Sequence, residues 1–137
     1  MGFLGNVLFH TNEAHFYLDG RVNSQNNRVW REKAPDEVAE RQLHPPRCIS
    51  WCAVSSTGII GPIWIEDDAG EVLTVTAERY LQVLKKFWTA LQRKCVDTIN
   101  EQWLQQDGAP AHAATVTLEW LHERLRGRLI SPGTPTR

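Results

Sequence analysis

Trp103 to His112 reads WLQQDGAPAH, and the fold turns on this stretch. Trp103 to Gln106 has the character of a short strand that ends at the turn-forming pair Asp107-Gly108. Ala109-Pro110 then opens a helix, with proline near its first turn where its missing N–H costs nothing. Asp107 therefore stands at the carboxyl end of a strand. Ligands of open α/β sheets gather at such ends. A carboxylate there can hold a hard divalent cation such as Mg²⁺, but an Asp before Gly is also an ordinary turn residue. His112 follows five residues later, in the first turns of the helix.

Downstream, Val116, Leu118, Trp120, Leu121 and Leu125 supply an apolar face to one continuous helix, which Gly127 is expected to stop. Leu129-Ile130 begins one more strand, and Ser131 to Arg137 (SPGTPTR) reads as a loose tail. Upstream, Thr76 is a suitable N-cap. Tyr80, Leu81, Leu84, Phe87, Trp88 and Leu91 then recur at helical spacing for about four turns. Before that helix the pattern is β. Asn6 to Tyr17 is rich in strand formers, and Asp19-Gly20 signals a turn. Asn26 to Arg31 reads as a partner strand, and Ala34 to Arg47 as a loop. Cys48 to Val54 (CISWCAV) suits a strand buried on both faces. Ile59 to Glu66 returns as a strand that Pro62 assigns to an edge or a bulge, and Asp67 to Gly70 turns the chain. Locally paired strands followed by strand–helix alternation predict an α/β domain over residues 1–137, with a mixed sheet and helices packed on it.

The bulk numbers are those of a globular chain: 137 residues, 42% hydrophobic and 23% charged. The net charge of −1 gives no overall basic footprint for nucleic acid. Basic residues do cluster at Lys85, Lys86, Arg93 and Lys94, and again at Arg124, Arg126 and Arg128. Each cluster reads as a solvated helix face or, for the first, as a nucleic-acid contact. Cys48, Cys52 and Cys95 are an odd set with no zinc-ligand spacing, so free thiols in a reducing compartment are expected. The five histidines are scattered without ligand spacing and read as surface or loop residues. No apolar run reaches the ~18 residues of a membrane span, so no membrane partner is expected.

WLQQDGAPAH, followed by a helix and GRLIS, resembles the region around the second catalytic Asp of mariner-like transposases of the DDE superfamily. The resemblance extends in order through Val7 to Gly20 (VLFHTNEAHFYLDG), Asn23 to Trp30 (NSQNNRVW), Trp51 to Pro62 (WCAVSSTGIIGP) and Glu71 to Tyr80 (EVLTVTAERY). It implies a ribonuclease-H-like fold, incomplete at the carboxyl end. It also implies a family activity of DNA strand cleavage and transfer with Mg²⁺ or Mn²⁺. Three carboxylates on different strands hold two cations, which activate the nucleophile and stabilise both oxygens of an in-line displacement at phosphorus. DNA is the implied partner and the nucleus the implied location.

Two departures set the expectation for this chain. The family's first Asp falls on Asn12, in TNE. Neighbouring Glu13 points to the opposite face of a strand, and Asp19 is remote. No Asp follows Asp107, and Glu119 and Glu123 lie on the intervening helix, so the third carboxylate is expected to be missing. Asp107 remains as the one metal ligand, with no tight metal binding and no detectable cleavage. The alternative is a non-enzymatic module that binds DNA or protein. An incomplete fold is also expected to leave the apolar surface around Trp120 and Leu121 without a cover, which favours self-association.

Overall fold

The computed structural model describes residues 6–17, 47–71 and 73–132. The Asp19-Gly20 turn, the strand expected at Asn26 to Arg31 and all of the loop before Arg47 lie outside these residues, as do the last five positions. Five strands form one mixed sheet: β1 (Val7–Tyr17), β2 (Arg47–Ser55), β3 (Gly58–Trp64), β4 (Gln102–Gln105) and β5 (Leu129–Ile130). Their spatial order is β3-β2-β1-β4-β5. The β3-β2-β1 half is antiparallel, while β4 joins β1, and β5 joins β4, in parallel. This is the predicted mixed sheet with an antiparallel amino-terminal part.

Strand periodicity sorts the side chains. Phe9, Ile49, Trp51, Ala53, Ile60, Leu104 and Leu129 are buried on one face of the sheet. Three helices, α1 (Ala77–Lys94), α2 (Pro110–Ala113) and α3 (Thr115–Leu125), supply the other half of the core. Thr76 caps α1 as expected, its hydroxyl accepting from the Arg79 N–H at 3.3 Å. The buried stripe of α1 is Tyr80, Val83, Leu84, Phe87 and Leu91. Phe87 is its centre, edge-on to both Phe9 at 5.9 Å and Trp51 at 5.3 Å.

Three expectations are corrected. The single helix after Asp107 is two helices, because Ala114 at φ −61°, ψ 142° is extended and breaks the ladder. The Thr117 hydroxyl braces that break by donating to the Ala111 carbonyl at 2.8 Å. Gly127, φ 90°, stops α3 as expected, and the C-cap before it, Arg126, is also left-handed at φ 46°. Leu121 is buried, and Trp120 packs edge-on against Trp88 at 6.3 Å under the Arg124 guanidinium, so this region is covered. Finally, β2 is buried along one face and only in part on the other, where Ser50 is 6% and Val54 45% exposed.

Pro62 lies on the edge strand β3, where its lack of an N–H breaks no central ladder, and the β2–β3 register shifts between Trp51 and Ala53. Gly61 at this bulge has φ 125°, and a Cβ there would come within 2.9 Å of the Trp51 carbonyl oxygen. Replacing Phe87 with Ala is expected to destabilise the fold by about 3–5 kcal/mol. Val116→Ala, at a position 44% exposed, should stay within about 0.5 kcal/mol. Urea unfolding of both variants checks the difference.

Candidate active site

The last paired residues of the parallel β1–β4 ladder are His10 and Gln105. Two residues further on each strand stand Asn12 and Asp107. The structure thus brings the two predicted carboxylate positions to the same edge of the sheet. Both line a cleft of about 440 Å³ with His10, Gln105, Ile130 and Ser131. Asp107 is 64% exposed. Its Oδ1 accepts from the Ala109 N–H at 3.0 Å, which fixes the turn into α2.

Sequence reading missed the group that organises this edge. His112 is 3% exposed, not a surface residue. Its Nε2 donates to Glu13 Oε1 at 2.7 Å, and its Nδ1 lies 2.7 Å from Asp107 Oδ1. The second approach is short but poorly aligned, an ion contact more than a hydrogen bond. Glu13 does point away from the Asn12 face, as strand alternation requires. That direction leads under the helices, to His112. The missed signal was parity: Glu13 shares a face with Phe9 and Thr11, and a carboxylate on a covered face needs a partner.

Tyr80 completes the cluster. Its ring stacks on His112 with centroids 4.0 Å apart and planes 23° apart. Its hydroxyl donates to Gln106 Oε1 at 2.8 Å. Gln106, itself buried, donates from Nε2 to the His112 carbonyl at 3.0 Å and to Ser131 Oγ at 3.3 Å. Ser131, the first residue of the expected loose tail, is therefore buried and tied to the site.

Burial is the largest influence on His112 and lowers its pKa. The hydrogen bond and charge of Glu13, then the charge and contact of Asp107, together outweigh it, so the pKa is raised. Burial, with help from the Glu13 and Asp107 charges, pushes the Tyr80 hydroxyl well above its ordinary value, so it remains a neutral donor.

The donors present do not suit a pair of divalent cations. Among the described residues lining the cleft, Asp107 is the one carboxylate; the rest of the polar lining is neutral, including Asn12, whose Oδ1 already accepts from the Glu13 N–H at 2.9 Å. The bound oxygen of Glu13 belongs to His112. Among the described residues, no three His, Cys, Asp or Glu side chains are grouped to hold a metal ion. A hard dication pair needs several anionic oxygens, and among the described residues this edge offers one carboxylate that faces the cleft.

The predicted basic residues lie elsewhere. Lys85, Lys86, Arg93 and Lys94 are all exposed on α1. Arg93 and Lys94 are at its far end from Tyr80, and Lys94 reaches toward the β2–β3 turn at Gly58. At 1.5 Å per residue they stand roughly 20 Å along the helix from the cluster. Among the described residues, no helix is long and apolar enough to cross a membrane.

Solved structures resemble this arrangement closely. A Mos1 transposase paired-end complex with left transposon end matches over 94% of this chain, with a TM-score of 0.61 and 21% identity. A Mos1 mariner paired-end complex with Mn matches over 90%, with a TM-score of 0.63 and 20% identity. The Mos1 transposase catalytic domain with Raltegravir and Mg matches over 93%, with a TM-score of 0.60 and 20% identity. This chain has the ribonuclease-H-like fold of the Mos1 catalytic domain. It spans 35% of the first two chains and 50% of the third. No protein-family model matches it, and no curated protein does.

The His112 cluster predicts a pH dependence. A histidine whose folded pKa is raised contributes stability that is fully present below its unfolded value, 6.5. That contribution is lost as pH rises through the folded value. Urea unfolding followed from pH 5 to 9 should show this loss in the native chain, and the loss should be absent in His112→Gln. An identical pH slope in both proteins would contradict the cluster.

Proposed function

We propose that this chain derives from the catalytic domain of a mariner-like DNA transposase, and that its strand-end cleft does not cleave DNA. One observation carries the reading: Asn12 stands beside Asp107 where two carboxylates would have to face each other across the β1–β4 edge. An amide oxygen can ligate, but it removes a full negative charge from a site meant to hold dications. Disturbing only an outer partner of a metal site typically costs about 10–100-fold. Replacing a direct anionic ligand costs more. The similarity to structures of a transposase on DNA, over most of this chain, supports the ancestry.

The exposed basic face of α1 favours a second reading, a non-enzymatic module that touches DNA through Lys85, Lys86 and Arg93. These cations do not surround the cleft, so such binding would not present DNA to Asp107. Nucleic acid held in this way is bound through phosphates and weakens steeply with salt.

Incubation with double-stranded DNA and Mg²⁺ or Mn²⁺ is expected to give no cutting. Metal-dependent cutting that disappears in Asp107→Ala would overturn the inactive reading. For the second reading, DNA binding at low salt should fall in Lys86→Glu with Arg93→Glu and should fade as salt rises. Binding unchanged by the double substitution removes that reading.

A further inference from the structure

Residues 110–125 contain no glycine and, after Pro110, no proline, and Ala111, Ala113 and Ala114 are strong helix formers. The backbone nevertheless breaks at Ala114, which is extended at φ −61° and ψ 142°. A helix continued back from Thr117, at roughly 100° per residue, would put His112 on the far side from the buried stripe of Thr117, Leu121 and Leu125. The break is therefore what turns His112 inward, onto Tyr80 and Glu13.

Breaking a helix frees carbonyls that N–H groups four residues on would otherwise take. Two of these belong to Ala111 and His112. They accept instead from the Thr117 hydroxyl at 2.8 Å and from Gln106 Nε2 at 3.0 Å. Both donor residues are buried. In a continuous helix the same two carbonyls would accept from Thr115 and Val116. Here those N–H groups stand at the exposed start of α3, ahead of Leu118, whose N–H reaches back to the Ala114 carbonyl at 3.0 Å. The two backbone arrangements satisfy the same carbonyls with different donors, so hydrogen bonding alone separates them little.

We infer that the Ala114 corner is a two-state hinge. Its broken form seats His112 in the buried cluster. Its other form is one helix over residues 110–125, which withdraws His112 and leaves Glu13 without that partner. Thr117 and Gln106 are the positioning residues that hold the broken form, and the stack on Tyr80 adds to its side. Asp107 holds it from the cleft, through the Ala109 N–H and the contact with His112 Nδ1. An occupant of the cleft that took Asp107 would loosen this tie. The cleft and the covered carboxylate of Glu13 are thereby coupled through an element with two discrete arrangements.

Nuclear magnetic resonance of the full chain, at one neutral pH, tests the hinge. Relaxation dispersion, which reports motion on the µs–ms scale, is expected in the native chain at Ala113, Val116 and the His112 ring. Thr115→Pro fits only the broken form. Proline suits the first position of α3 and the extended residue before it, and it cannot donate to the Ala111 carbonyl. This variant should abolish the dispersion and keep His112 stacked on Tyr80. Thr117→Val removes one donor of the broken form. It should slow hydrogen exchange at the Val116 amide by about tenfold and shift the His112 ring signals away from their stacked positions. Adding Thr115→Pro to Thr117→Val should reverse both changes. A native chain without dispersion, or dispersion that persists in Thr115→Pro, overturns the hinge, and this comparison decides even where Thr117→Val fails to fold. A folded Thr117→Val protein with an unprotected Val116 amide overturns it as well.

Discussion

His112 is held between two carboxylates that come from different strands, and the geometry of the strand edge follows from this contact. Glu13 belongs to β1, while Asp107 stands in the turn just after β4. A buried imidazole with both nitrogens against carboxylate oxygens at 2.7 Å ties these strands together from the covered side. The desolvation that opposes charge on a buried histidine is offset by two anions. Glu13 on the covered face is given a partner by the buried imidazole, while Asp107 reaches it from the solvent side. Gln106 extends the restraint through its bonds to Tyr80, the His112 carbonyl and Ser131. α1, α2 and the end of β5 are thereby fixed to the same point. Buried polar networks of this kind constrain the arrangement of the groups they join.

This arrangement separates two properties that a metal-dependent nuclease combines. Its carboxylates must converge on the cleft, where dications neutralise them. Here Glu13 turns inward to the His112 imidazole, and the residue that does face the cleft beside Asp107 is the neutral Asn12. The packing of the sheet and helices depends on Phe9, Trp51, Tyr80 and Phe87, not on the charges at the strand ends. Scaffold and chemistry can diverge because they rest on different residues.

Much of this was legible in the sequence. The strand at Cys48 to Val54, the capped helix after Thr76 and the strand ending at Asp107 all emerge from periodicity and turn residues. These signals are local. So is the edge position of Pro62, which follows from a missing donor. The break at Ala114 was hidden, because alanine favours helix and only the tertiary bond from Thr117 to the Ala111 carbonyl reveals the corner. His112 was hidden for a related reason. Its partner Glu13 lies 99 positions away, and spacing along the chain says nothing about that distance. The uncovered apolar surface expected around Trp120 and Leu121 is absent among the described residues. Trp120 found Trp88 and Arg124, contacts that a helical pattern cannot show.

A double-mutant cycle on Glu13 and His112 tests most directly whether their contact holds the strand edge. The measurement compares unfolding free energies at neutral pH for Glu13→Gln, His112→Gln, the pair and the native chain. Residues in direct contact within one network couple by about 0.5–3 kcal/mol, and a favourable coupling in the upper half of that range is predicted for this buried pair. Additive effects, with coupling indistinguishable from zero, would contradict the account.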